Sequence, residues 1–261
     1  MLAIISPAKK LDFESPTHHS NFSQPEFLEQ SKVLVEKAKG LSRSDLKRAM
    51  KLSDKLSELN FQRFQNFSIP FTNENAKQAA LVFNGDTYQG LEATSLKAED
   101  LNFAQDHLRI LSGLYGILRP LDLIQPYRLE MGARFQPPGY NNLYEFWNKS
   151  IAHEINNVTK DHKDKTVINL ASMEYFKAVD QNVLNGKIVT PVFKEVKNGV
   201  SKIISFFAKQ ARGSMARFII KNRLHEPDQI KEFNDAGYIY SSDLSEEDSW
   251  VFTRDQTPEK K

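Results

Sequence analysis

The sequence predicts a single α+β domain, residues 1–261, with a mixed β-sheet and surrounding helices. Three observations predict it. Short apolar runs recur between amphipathic stretches, an Asn198-Gly199 pair marks a hairpin, and neither a linker nor an internal repeat divides the chain. Leu2–Ser6 reads as a short buried strand, followed by a loop rich in Ser, His and Pro up to Pro25. Pro25 stands in the first turn of a helix that runs to Lys39 and closes at Gly40. Ser42 and Ser53 have the chemistry of N-caps for two more helices, the second carrying Leu56, Leu59 and Phe61.

Ala79–Phe83 reads as a strand that breaks at Asn84-Gly85, and Leu96–Leu111 as a helix closed by Ser112-Gly113. Leu143–Val158 is an amphipathic helix, Thr166–Ala171 a buried strand, and Ser172 caps a short helix. Lys187–Val196 and Val200–Ala208 pair as a hairpin, because Asn198-Gly199 tolerates the positive φ that a type I′ turn needs at both central positions. Lys209–Leu224 follows as a helix with Ala211, Met215, Phe218 and Ile219 in one stripe and Arg212 near its border. Gly237–Tyr240 and Trp250–Arg254 add edge strands.

The composition, 40% hydrophobic and 26% charged, is that of an ordinary globular chain. The absence of cysteine excludes disulfides, thiolate zinc sites, cysteine-ligated clusters and thiol peroxidase chemistry. Six histidines (18, 19, 107, 153, 162 and 225) lack metal-ligand spacing and read as surface or capping residues, so no metal or cofactor is expected. No apolar run reaches membrane-spanning length, and Met1-Leu-Ala-Ile-Ile lacks the basic region of a signal peptide. A cytoplasmic protein is expected.

The net charge of +2 hides an uneven distribution. Between Val192 and Leu224 eight basic residues face one acid, Glu195, whereas from His225 onward ten acids face four bases. Such a block either meets an anionic partner or is neutralised within the fold.

Two groups of residues carry candidate chemistry. The stretch 108–132 holds Gly113, Gly116, Arg109, Arg119 and Arg128 around a glycine turn, the arrangement in which backbone N–H groups and arginines hold phosphate oxygens. It has the look of a helix-hairpin-helix element, although two residues separate the glycines and Pro120 leaves about one turn for a following helix. A plain glycine cap and proline stop is the other reading. The second group lies in loops after candidate strands: Lys9, Asp86, Tyr88, Ser172 and Glu174, with Arg128 and Glu130. Were they to converge, they would form a pocket for a small phosphorylated or nucleotide-like substrate.

The segments ISPAKKLDF (5–13), SDKL (53–56), NGDTYQGL (84–91), LRILSGLYGILRPLDLIQPYRLEMG (108–132), INLASMEYFKAV (168–179) and ISFFAKQARGSMARFIIKNRL (204–224) resemble, in order, the YaaA family of bacterial peroxide stress proteins. Met173 stands where that family commonly has an acid. The resemblance implies a compact fold with a basic cleft, a helix-hairpin-helix-like element, binding to double-stranded DNA without base readout, and a role in limiting oxidative damage by lowering free iron. Carried onto this chain, the hairpin element is His107–Pro120 with Ser112, Gly113, Tyr115 and Gly116 at its turn. Charge alone assigns the cleft bases to Lys9, Lys10, Arg109, Arg119, Arg128, Lys209, Arg212 and Arg217. On this reading the protein is a non-enzymatic DNA binder. The alternative is an enzyme using Lys9, Asp86, Tyr88, Arg128, Glu130, Ser172 and Glu174.

Overall fold

The computed structural model describes residues 1–16 and 19–255, so His18 and the last six residues of the acidic tail lie outside it. Its strands, in chain order, are β1 (Leu2–Ile5), β2 (Lys77–Gln78), β3 (Leu108–Ser112), β4 (Gly116–Leu118), β5 (Leu123–Ile124), β6 (Val167–Leu170), β7 (Ile188–Lys197), β8 (Val200–Lys202), β9 (Ile239–Ser241) and β10 (Ser249–Asp255). Eight of them form one mixed sheet in the order β4-β3-β1-β6-β7-β10-β9, with β8 paired to β7. β3, β1, β6, β7 and β10 run parallel, and β4, β8 and β9 pair antiparallel. β2 and β5 form a separate two-stranded ribbon.

β1 is buried along its whole length, as expected of a central parallel strand covered by other elements on both faces. Numbered along the chain, the parallel strands lie 2-1-3-4-5 across the sheet. The path leaves β1 for β3 on one side and later returns to β6 on the other. The carboxyl ends of β1 and β6 therefore flank a switch point, where an open α/β sheet leaves a crevice.

Several elements follow the sequence closely. Ser42 and Ser53 cap the helices Arg43–Met50 and Asp54–Gln65, and Ser42 forms a full capping box with Asp45. Asn198 and Gly199 take φ of 53° and 76° between β7 and β8, as the hairpin turn demands.

Other elements differ. Ala79–Val82 is one helical turn, not a strand; an apolar run of four residues without alternation suits either state. The helix expected over Leu96–Leu111 spans Ala98–His107, and Leu108–Ser112 instead joins the sheet, pairing with β1 from Ala3↔Leu108. Asn148, at φ 40°, divides Leu143–Val158 into helices Leu143–Trp147 and Ser150–Thr159. The last long helix starts earlier than expected and spans Ser205–Lys221, taking Phe206 and Phe207 into its first turn. β10 is interior to the sheet, and β9 forms the edge.

At the amino ends of the strands three histidines cluster; His225 is exposed, as expected, whereas His107 departs from the expected surface position and His162 is half-buried. His107 is buried, places Nδ1 2.9 Å from the Met1 carbonyl, stacks on His162 at 4.6 Å and meets His225 edge-on at 5.0 Å. Burial, then the nearby Met1 amine and His107, depress the His162 pKa from 6.5 to about 4, and burial depresses His107 as well. The folded state thus resists protonation that the unfolded chain accepts. Stability from this cluster is complete above pH 6.5 and is lost as pH falls toward about 4. Urea midpoints are expected to drop between pH 7 and pH 5, and to drop less in His162→Phe, which keeps the ring stack without the titration. Equal drops in both proteins would dismiss the cluster as the cause.

Candidate functional site

Two serines stitch the switch point. Ser6, following β1, accepts the Ser172 N–H at 2.8 Å and donates its hydroxyl to Ser172 Oγ at 3.3 Å. Ser172 begins the helix Met173–Phe176 without capping it through its side chain, which is turned to Ser6 instead. The loop beyond Ser6 is held by the Asn84 N–H, which donates to the Lys10 carbonyl, and by the Tyr88 hydroxyl, which donates to the Ser6 carbonyl at 3.1 Å.

Tyr88 lies on the helix Asp86–Leu91, which packs against Ser205–Lys221 through two glycines. A Cβ on Gly213 would stand 1.8 Å from the Thr87 carbonyl oxygen, and one on Gly90 2.1 Å from that of Gln210. Backbone lies directly on backbone here. That approach sets Lys209 beside Asp86, with Lys209 Nζ 3.6 Å from Asp86 Oδ2, and brings Arg212 to the same cavity. Gly113 plays a similar part on the other wall: a Cβ there would stand 2.3 Å from the Leu129 carbonyl, so the segment carrying Arg128 and Glu130 lies against the β3–β4 turn.

These segments enclose a cavity of about 360 Å³ at the switch point. All seven residues of the enzyme alternative line it: Lys9, Asp86, Tyr88, Arg128, Glu130, Ser172 and Glu174. Lys10, Lys209 and Arg212 line it too. Glu130 Oε1 accepts from Arg128 Nε at 3.0 Å and lies 3.5 Å from Lys9 Nζ, whereas Glu130 Oε2 is buried without a partner among the described residues. Glu174 is fixed by the Gly132 N–H, 3.0 Å from Oε1. Half-buried Arg212 makes no hydrogen bond or ion pair among the described residues, and burial lowers its pKa. Burial raises the pKa of Tyr88, Tyr127 and Tyr175, so these three wall residues are neutral phenols at physiological pH. Tyr88 is thereby a hydrogen-bond donor to the backbone and a positioning group.

The remaining expected phosphate contacts lie elsewhere. Residues 107–120 are not a helix-hairpin-helix: they are the end of a helix followed by the buried β3–β4 hairpin. Alternating support from β1 and the core draws Leu108, Ile110 and Leu111 into a strand despite the helical spacing of the preceding residues. Ser112, Gly113, Tyr115 and Gly116 are all buried; Ser112 Oγ pairs with the Tyr127 hydroxyl at 2.7 Å and accepts the N–H groups of Leu114 and Tyr115. Arg109, 5% exposed, donates to the carbonyls of Gln105 and Leu108. Arg119 binds Asp122 and the Gln24 carbonyl, and Arg217 binds Leu91 and Glu92. Two helices joined by a short turn do occur at Arg43–Met50 and Asp54–Gln65, but Ser42 and Ser53 already take their capped N–H groups.

Among the described residues the basic block is neutralised in part, and not by the acidic tail. Lys209, Arg217, Lys221 and Arg223 pair with Asp86, Glu92 and Asp100, all N-terminal to the sheet's second half. Sequence reasoning missed Tyr127 as a cavity wall, and its position beside Arg128 was the signal for it; Tyr175 follows β6 with Ser172 and Glu174 and lines the cavity with them.

Residues 1–244 match the family described as "Peroxide stress protein YaaA". The chain belongs to that family. Relatives carrying the name UPF0246 protein are found in Colwellia psychrerythraea, 54% identical across 98% of this chain and 100% of the relative, and in Pseudoalteromonas translucida, 52% identical across 98% and 99%. A third, from Dechloromonas aromatica, is 51% identical across 97% and 99%. The similarity to YaaA proteins thus spans every segment that reaches the cavity, from Ser6 to Arg212. Among the described residues no helix is long and apolar enough to cross a membrane.

Proposed function

We propose that this peroxide stress protein binds double-stranded DNA without base readout through the rim of the strand-end cavity, and that it limits oxidative damage by that contact and by lowering free iron. Lys9, Lys10, Arg128, Lys209 and Arg212 supply the phosphate contacts. The observation that carries this reading is Arg212, a half-buried guanidinium left without an acid while four other cations of its block are paired. Leaving such a group unpaired is costly, and a bidentate phosphate contact relieves the cost. Anisotropy titrations on unrelated duplexes are expected to give similar affinities that fall steeply with salt, each neutralised phosphate adding about 0.9 to the log–log slope. Arg212→Ala lowers that slope, whereas Arg217→Ala, outside the cavity, leaves it unchanged. Absence of binding at about 50 mM salt would dismiss the reading.

A second reading is favoured by the three carboxylates in the same cavity, which simple backbone binding does not need. It makes the cavity an active site for a small phosphorylated or nucleotide-like substrate, with Glu130 the candidate acid–base group. Turnover of such compounds, lost in Glu130→Gln, is its test.

A further inference from the structure

We propose that the strand-end cavity takes a single nucleotide by its terminal phosphate monoester, with Glu130 Oε2 accepting a hydrogen bond from an amino or hydroxyl group of the nucleoside. This rests on the reading above that phosphate is held at Lys209 and Arg212.

Three features of the cavity point to that ligand. The first is size: about 360 Å³ lies at the small end of the range for ligand pockets, room for one nucleotide and not for a length of duplex. The second is charge. Five cations (Lys9, Lys10, Arg128, Lys209, Arg212) and three carboxylates (Asp86, Glu130, Glu174) line it, leaving an excess of two positive charges. A phosphate monoester carries nearly two negative charges at pH 7, whereas the diester between nucleotides carries one. The match is to a terminal phosphate.

The third feature is the unsatisfied acceptor on Glu130, which comes from a different segment than the cations Lys209 and Arg212. Arg212 and Lys209 come from the long helix, whereas Glu130 belongs to the segment after β5, where Arg128 and Lys9 engage only its Oε1. Oε2 is buried and unsatisfied, and a buried carboxylate oxygen without a donor is rare enough to call for one. Nucleosides supply such donors as exocyclic amines and sugar hydroxyls. Pro7, Leu129, Leu170 and the rings of Tyr127 and Tyr175 give the apolar walls that a base requires.

The same chemistry has two sources: a free nucleoside monophosphate, or the phosphorylated end of a broken DNA strand. Radical cleavage of deoxyribose leaves phosphate monoesters at strand ends, which ties the second source to peroxide stress.

Calorimetric titration of the full chain distinguishes them. The probes are dAMP, deoxyadenosine, a 12-nucleotide strand with or without terminal phosphate, and covalently closed circular DNA. Binding of dAMP at least about tenfold tighter than deoxyadenosine supports the proposal, as does an equal preference for the phosphorylated strand. Preference for dAMP alone identifies the free nucleotide as source, and preference for the phosphorylated strand alone identifies the DNA end.

Glu130→Gln is expected to weaken dAMP about tenfold while leaving inorganic phosphate unchanged, and Arg212→Met to weaken both. Glu130→Asp, measured per folded molecule, guards against a folding artefact. The proposal is overturned if phosphate adds nothing to the affinity of nucleoside or strand. If closed circular DNA still binds in that case, the DNA reading survives on its own. If it does not, both fail.

Discussion

Gly213→Ala is expected to lower stability by about 2 kcal/mol or more and to weaken phosphate binding in the molecules that remain folded. The sign is not the one that helix propensity gives. Alanine is favoured over glycine in a helix interior by about 1 kcal/mol. Here, however, the new methyl would stand 1.8 Å from the Thr87 carbonyl oxygen and 2.8 Å from the Leu91 amide nitrogen, both backbone atoms that cannot swing aside. The helix Ser205–Lys221 must retreat, taking Lys209 away from Asp86 and Arg212 away from the cavity. Urea melts and anisotropy on one preparation test both halves. A variant as stable as the parent, binding equally well, would show that the glycine contact does not set the helix.

Gly116→Val is expected to cost more, about 3–5 kcal/mol, while leaving cavity affinity per folded molecule nearly unchanged. Gly116 sits at φ +68°, a conformation that a β-branched residue resists. A Cβ there would also stand 2.8 Å from the Trp147 ring, which is buried and anchored by its indole N–H to the Gly113 carbonyl at 3.0 Å. Strain and overpacking therefore add. Thermal melting reads the loss, and affinity measured on the folded fraction reads the separation of this turn from the site. Loss of binding beyond loss of folding would return the hairpin to the phosphate surface.

The contrast between these glycines shows where the sequence is informative. Local rules were sufficient wherever a single turn decides the conformation: Ser42, Ser53 and Asn198-Gly199 each act through one or two backbone groups, and each appears as read. They were insufficient at Leu108–Ser112, because the choice of strand over helix there is made by β1, over a hundred residues away. The same error misplaced the arginines. Arg109 looks like a phosphate ligand in a helical turn and is a core residue in a strand.

The strand-end residues fared differently. Lys9, Asp86, Ser172 and Glu174 were legible as a group because each follows an apolar run, and sheets gather such loops at one edge. Even so, Ala79–Val82 before Asp86 proved to be a helix, so one of those loops reached the site for another reason: the glycine packing against Ser205–Lys221. No local pattern announces that contact. Gly90 and Gly213 are visible in the sequence, but their partnership is not.

The cavity's walls come from segments near residues 6–10, 84–88, 127–130, 170–175 and 209–212. During synthesis, at about 5–20 residues per second, most of the sheet emerges well before the helix that supplies Lys209 and Arg212. A nascent chain therefore presents Lys9, Lys10 and Arg128 against Asp86, Glu130 and Glu174, a set without net charge that still lacks the two cations of the helix Ser205–Lys221. A chain cut ahead of Ser205 is left in the same condition. On the proposed reading, the cavity's positive excess arrives in one late step, with Lys209 and Arg212, and binding belongs to completed molecules and not to fragments.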